Sequence, residues 1–303
     1  MKVWLTGAVL GFLGARLARV LRAAGHEVHT PAVDLFDAAA VRHATQAASW
    51  DAVIHLAAIA SVPRCDANPE LAWRTNVGCT GLLLEMLARH APQAHLLFTS
   101  TGHVYAPPRG PEIAEGVVLD EDRAIEPLST YARTKWAAEL LLHDAAQRTG
   151  QTVTVLRLFN HTHRSQPTSY FLPHIHATLR ATPAGERAVV PVGNLFVERD
   201  MGALPDLMGA FLAVLDARAG DEGLAIYNVC SGVGRHLGDL AAALAARLGV
   251  DAEFRTDPDR VRDNDPRRVV GSHDRLTAAT GWTPSCTTLD ALLDAFLDKA
   301  WDE

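Results

Sequence analysis

Lysine is nearly missing from this chain of 303 residues: Lys2, Lys135 and Lys299 are the three present, and every other basic residue apart from histidine is arginine. The net charge is −7 and the pI is near 6.0. No excess of cations is available for a phosphate backbone, which excludes a general nucleic-acid binder. Cysteine is also scarce. Cys65, Cys79, Cys230 and Cys286 show no C-x-x-C spacing, so neither a disulfide framework nor a metal site is expected, and reduced thiols in a cytoplasmic protein are. No apolar run reaches the ~20 residues that span a bilayer. Internal repeats and low-complexity segments are absent as well. What remains is a globular composition, 48% hydrophobic and 21% charged, in a chain long enough for one large domain or two smaller ones.

The apolar start superficially resembles a secretory leader. Gly7, Gly11 and Gly14 interrupt it, and Arg16 and Arg19 follow, so it reads as strand, turn and helix instead. Strands are expected over 2–6, 27–30, 52–56, 95–99, 153–157 and 225–229. Helices are expected over 12–24, 37–48, 69–89, 130–149, 204–218, 237–248 and 289–301. Strands alternating with helices predict a parallel, doubly wound α/β sheet of the Rossmann type, with ligands at the carboxyl ends of the strands. Residues 1–159 are assigned to a dinucleotide-binding domain, to which segments near 190–230 return. Residues 160–303 are assigned mainly to a smaller α/β substrate-binding domain.

Gly7, Gly11 and Gly14 lie between the first strand and the first helix. Glycines there permit a tight turn and close backbone approach to a pyrophosphate, and the helix N-terminus offers N–H donors. Asp34 either accepts from an adenine amine or caps the next helix. The second strand ends in His29-Thr30-Pro31, without the acid that binds the ribose hydroxyls of NAD. NADP(H) is therefore favoured over NAD(H).

Tyr131 and Lys135 are four residues apart, on one face of an expected helix. An ammonium there is expected to draw the phenol pKa down from about 10 toward working pH. Thr101 closes the fourth strand on the ligand rim. Together these imply hydride transfer to or from an oxygen-bearing carbon: Thr101 holds the carbonyl, Tyr131 moves the proton, and Lys135 tunes Tyr131 and holds the nicotinamide ribose. Asn76 either supports the lysine or is a polar helix residue. His103 either faces substrate or is a solvated loop histidine.

The order Thr6-Gly7, Gly11, Gly14, His55-Leu56-Ala57-Ala58, Asn76, Thr101 with Val104-Tyr105, then Tyr131 and Lys135 resembles the extended short-chain dehydrogenase/reductases acting on nucleotide sugars. The likeness runs nearly the full length and is greatest to GDP-6-deoxy-4-ketohexose reductases and GDP-mannose 4,6-dehydratases. Residues 157–162, 192–200, 227–232, 257–262 and 280–284 carry that branch's pattern. The resemblance implies cofactor contacts from Gly7, Gly11, Phe12, Leu13 and Gly14, from Asp34 and Leu35, from Leu56, Ala57 and Ala58, and from Asn76, Tyr131 and Lys135. It places Asn160, Asn194, Arg199, Arg262 and Asp265 around the nucleotide diphosphate, where arginines suit phosphate oxygens. It also implies a homodimer, paired through the helices at about 69–89 and 130–149.

Three departures stand out. The glycine turn is one residue longer in its first gap. Residues 163–166 read His-Arg-Ser-Gln where the relatives carry Gly-Pro-Gly-Gln, a wall expected near the sugar and nucleotide. Asp263-Asn264-Asp265-Pro266 follows Arg262 in place of the usual turn. The residues after Thr101 are Gly102-His103, so the acid that drives elimination in the dehydratases is missing. His103 and Ser165 occupy the positions of the cysteine and histidine that epimerise in GDP-fucose synthases. Reduction of a 4-keto group is the leading expectation. An epimerase with retained NAD, a ketoreductase on a natural-product ketone and a non-catalytic nucleotide sensor are the alternatives.

Overall fold

The computed structural model describes residues 1–8, 11–218, 223–261 and 265–302. Among these, six strands form one sheet in the order Leu224–Val229, Val153–Leu158, His95–Thr101, Ala52–His55, Lys2–Thr6, Glu27–His29. All neighbours are parallel. The chain winds outward in both directions from the first strand, so the order reverses between the first and third strands. A crevice opens there at the carboxyl ends.

Helices on both faces explain why the central strands are continuous apolar runs: every residue of Ala52–His55 and His95–Thr101 is buried. Side chains alternate between faces. Val3, Leu5 and Ile54 pack with Leu17 and Leu21 of helix Gly14–Ala23 and with Phe211 of helix Leu204–Asp216. Trp4, Val53 and Phe98 face Val41, Leu83 and Leu142 from helices Ala38–Gln46, Cys79–His90 and Thr130–Thr149. Each such side chain contributes about 1.5–3 kcal/mol on burial.

Helix Thr130–Thr149 has the expected bounds. The Ser129 hydroxyl accepts from the Ala132 N–H at 3.1 Å, and Gly150 closes the helix in the left-handed conformation. The helix expected over 69–89 differs. It runs Pro69–Trp73, widens into a π segment at Arg74–Gly78, and resumes at Cys79–His90. Helix Ala38–Gln46 is capped by Asp37, not Asp34. Asp34 instead accepts from the Phe36 N–H at 2.9 Å, closing a turn.

A second body of core lies beyond residue 170. Helices Phe171–Ala181, Leu237–Leu248 and Leu289–Leu297 enclose the parallel pair Ala188–Val192 and Ala252–Thr256. A small mixed sheet joins this body to the first half of the chain, because Val117–Leu119 pairs with Arg268–Gly271 beside Glu198–Asp200. Asp200, buried at 1% exposure, fastens that sheet. Its carboxylate accepts from the N–H groups of Ser231, Gly232 and Gly271 and from the Ser231 hydroxyl, at 2.7–3.2 Å. Among the described residues, no helix is long and apolar enough to cross a membrane.

Candidate active site

The crevice floor is set by a turn that only glycine suits. Gly7 has φ +69°, and a Cβ on it would lie 2.6 Å from the Ala57 Cα. The loops after the first and third strands therefore touch, bringing Leu56, Ala57 and Ala58 beside the turn. Gly14 is tighter still, since its Cβ would fall 2.2 Å from the Ala8 Cα. Helix Gly14–Ala23 begins at Leu13 with no side-chain cap among the described residues, which leaves its first N–H groups and partial positive charge available to an anion. Phe12 leans beside this end, its ring beneath the Arg16 guanidinium at 4.3 Å. Leu13 packs on the core of the first helix, and Leu35 is buried with Trp4 and Val41. Val9 and Leu10, within the longer first gap, lie outside the described residues.

The far side of the crevice carries the polar groups. Thr101 ends the fourth strand, with its hydroxyl near enough to the Tyr131 phenol to lower its pKa. It also accepts from the His103 N–H at 3.2 Å. His103 itself is exposed, edge-on to the Tyr131 ring at 6.5 Å. One turn along, Lys135 is buried, donates to the Thr99 carbonyl at 2.7 Å and lies 4.5 Å from the Phe98 ring centre. Burial pushes its pKa down to about 8.

The expected tuning of the phenol is corrected by this arrangement. Burial raises the Tyr131 pKa to about 12, the Thr101 hydrogen bond acts in the opposite sense, and Lys135, held by Thr99, is not among the groups acting on it. His55, which follows the same rim, is buried between the hydroxyls of Thr6 and Thr80 at 2.6 and 3.1 Å. Burial, then the Lys135 charge, depress its pKa to about 3, so it is a neutral packing group.

Asn76 does not reach the lysine through its side chain. Its amide accepts from the Ile59 N–H at 2.8 Å and donates to the Ile59 carbonyl at 3.1 Å and to Thr134 Oγ1 at 2.9 Å. Thr134 in turn donates to the Tyr131 carbonyl at 2.8 Å. The π segment turns Asn76 into this position, and so ties the loop after Ala58 to the Tyr131 helix.

Of the residues expected around the nucleotide diphosphate, Asn160 donates to the Asp200 carbonyl at 3.1 Å and Asn194 accepts from the Phe196 N–H at 2.9 Å. Arg199 and Asp265 form an ion pair with each other, and Arg199 also donates to the carbonyls of Glu198 and Pro266. Arg262 lies outside the described residues.

The 163–166 segment differs from expectation. His163 is buried between Ser165 Oγ at 2.7 Å and the Asp298 carbonyl at 3.0 Å. Arg164 pairs with Asp302, and Ser165 accepts from Arg16. These side chains tie residues 298–302 to the first helix. Their polar character alone could not signal this, because Asp298 and Asp302, which His163 and Arg164 meet, are more than 130 residues away.

The donor set fits a dinucleotide: an uncapped helix end beside a glycine turn for a diphosphate, and a buried ammonium beside a phenol and a hydroxyl for a ribose and a reacting oxygen. The model of the NAD dependent epimerase/dehydratase family matches residues 3–230, the span that ends with the sixth strand.

The chain belongs to the NAD dependent epimerase/dehydratase family.

Among curated members similar to it, GDP-6-deoxy-D-mannose reductase of Pseudomonas aeruginosa is 34% identical over 244 residues, 80% of this chain and 78% of that protein. Among solved structures, RMD from Pseudomonas aeruginosa complexed with NADPH has a TM-score of 0.85 at 30% identity, covering 100% of this chain and 99% of that one. MoeE5 in complex with UDP-glucuronic acid and NAD has a TM-score of 0.79 at 25% identity, covering 99% and 98%. As a member of the epimerase/dehydratase family, the chain is an NAD(P)-dependent enzyme of the extended short-chain dehydrogenase/reductase type.

Proposed function

We propose that the chain reduces the 4-keto group of a GDP-linked 6-deoxyhexose, with Tyr131 as the proton donor. The observation that carries this reading is the meeting of Thr101, Tyr131 and Lys135 at the crevice, followed by Gly102-His103 with no carboxylate for elimination. A phenol held near 12 stays protonated at neutral pH. It is loaded to give a proton, which suits ketone reduction better than an oxidation that begins by taking one. In this scheme Thr101 and Tyr131 hold the carbonyl oxygen, and the phenol proton passes to that oxygen as negative charge develops on it. Bound nicotinamide supplies the hydride. Lys135 binds ribose hydroxyls and so places the nicotinamide beside the phenol.

The dinucleotide is assigned to residues 1–159 with the returning strand 224–229, and the nucleotide sugar to the body beyond 160. His103, Asn160, Asn194, Arg199 and Asp265 face the sugar nucleotide in this reading, with the Arg199–Asp265 pair opening toward phosphate and ribose. NADP(H) is preferred because the second strand ends at His29 without a carboxylate following in Thr30-Pro31.

The test follows absorbance at the NADPH band when purified protein meets GDP-4-keto-6-deoxymannose, with NADH in parallel. Consumption of NADPH supports the reading. Consumption of neither nicotinamide would overturn it and favour redox-neutral epimerisation on a retained cofactor.

A homodimer belongs to the same proposal. The helices spanning 69–90 and 130–149 pack on each other, yet Leu71, Trp73, Leu140 and Leu141 on them are 38%, 43%, 51% and 37% exposed. Leu141 lies over Gly81, where a Cβ would come within 3.6 Å of it. Large apolar side chains grouped on an open helix pair mark an interface. Sedimentation velocity is expected to show a dimer for the wild type and a monomer for Leu140→Glu, and a monomeric wild type would remove the claim.

A further inference from the structure

Three groups on one stripe of the helix Thr130–Thr149 each engage the end of the fourth strand. Tyr131 faces Thr101, whose hydroxyl acts on the phenol to lower its pKa. Lys135 donates to the Thr99 carbonyl at 2.7 Å. Glu139, one turn further and 3% exposed, accepts from the Ser100 hydroxyl. The spacing i, i+4, i+8 keeps the three side chains on one face, and three successive strand residues receive them.

The Glu139 carboxylate is then closed from the neighbouring strand by Arg157, itself 2% exposed. Arg157 Nη2 donates at 2.7 Å, and Nε lies 3.2 Å from both oxygens. Arg157 sits directly across from Ser100 in the sheet register. A buried carboxylate with these partners is a built feature, because an ion so deep is tolerated only when paired and hydrogen-bonded.

We propose that Glu139 is a positioning residue for the site: it fixes the Thr99–Thr101 strand end against the Tyr131 helix and sets a carboxylate one helical turn from the Lys135 ammonium. This rests on the reductase reading for its catalytic consequence. Other groups facing Lys135 cannot replace that charge. His55 from the third strand is neutral, and Cys65 from helix Val62–Ala67 has its thiol pKa raised, by burial first. Tyr131 on the same helix is protonated, and the fourth strand offers the Thr99 carbonyl and the Phe98 ring. Glu139 is the carboxylate acting on Lys135, raising a pKa that burial lowers.

The scarcity of lysine provides the test. With three lysines in the chain, carbon-13 labelling at lysine Cε gives three NMR signals, and Lys135→Met identifies one of them. Wild-type Lys135 is expected to titrate at about 8. Glu139→Gln retains an oxygen for the Ser100 hydroxyl and removes the charge, so the midpoint should fall by about 1 unit or more. The high-pH limb of ketone reduction should move down with it. An unchanged midpoint would overturn the proposal.

The NMR titration needs no substrate, so it separates two failures. A midpoint that moves beside an unmoved pH–rate profile upholds the pairing and removes Lys135 from the chemistry, which overturns the reductase mechanism alone. Should Glu139→Gln not fold, Glu139→Gln/Arg157→Met removes both charges of the pair; because the Arg157 cation opposes the ammonium, the fall of the Lys135 midpoint is then smaller, and no fall at all would overturn the proposal.

Discussion

Tyr131→Phe is expected to bind NADPH like the wild type and to reduce the ketone about 10²–10⁴-fold more slowly, the usual span for losing a general acid. The ring keeps its place in the crevice because the helix is set by Ser129, Gly150 and the Asn76–Thr134 link, none of which involves the phenol oxygen. Only the Thr101 hydrogen bond and the transferable proton disappear.

The pH profile supplies a second reading of the same site. A phenol near 12 remains protonated through the whole working range, so it contributes no loss of reduction rate between about pH 6 and 9. Lys135, whose folded pKa lies near 8, is charged below that value and neutral above it. The wild-type rate should therefore be level on the acid side and fall as pH rises through about 8. A variant Tyr131→Phe with undiminished turnover, measured by NADPH absorbance in stopped flow, would end the proposed mechanism.

Much of the sheet could be read from the chain because its determinants are local. Buried parallel strands are continuous apolar runs, and the helix that carries Tyr131 is bracketed by a serine cap and a glycine stop. The strands outside this sheet were not legible. Val117–Leu119 is three residues long and acquires its partner, Arg268–Gly271, about 150 residues later; nothing in three residues encodes such a pairing. Helix Phe171–Ala181 was hidden by Pro173, which reads as a breaker but sits in the first turn, where its missing N–H costs no hydrogen bond.

The site divides the same way. The phenol, lysine and threonine were visible as residue types at meaningful spacing. Their electrostatics were not, since the upward shift of Tyr131 and the downward shift of Lys135 come from burial by distant segments. Glu139 is a residue that sequence reading missed: it stands at i+4 from Lys135, an arrangement that on an exposed helix contributes only a few tenths of a kcal/mol. Its burial against Arg157, supplied by another strand, is what changes its meaning. The side chains at 163–166 face the chain terminus for the same reason: their partners, Arg16, Asp298 and Asp302, are assembled by the fold.

Gly7→Ala should be strongly damaging in the dinucleotide turn. Gly7 combines a φ of +69° with a Cβ position 2.6 Å from the Ala57 Cα and 2.8 Å from its nitrogen. Those are backbone atoms of the third strand's exit, so no side chain can swing away. The left-handed conformation costs an L-residue about 1–2 kcal/mol, and forcing a methyl into packed backbone about 1–3 kcal/mol more. A fall in Tm of roughly 5–15 °C by scanning calorimetry is the expected sum. The wedge also spreads the first and third strands at the point where the sheet order reverses. NADPH affinity by fluorescence titration should therefore weaken, about tenfold for each ~1.4 kcal/mol taken from the binding free energy.

Gly11→Ala is the control within the same turn. Among the described residues its Cβ would meet only the Gly7 carbonyl oxygen, at 3.2 Å, and its φ is not in the left-handed region, so it should melt near the wild type. If both variants melted and bound alike, the contact between the first and third strand loops would not be what shapes the crevice.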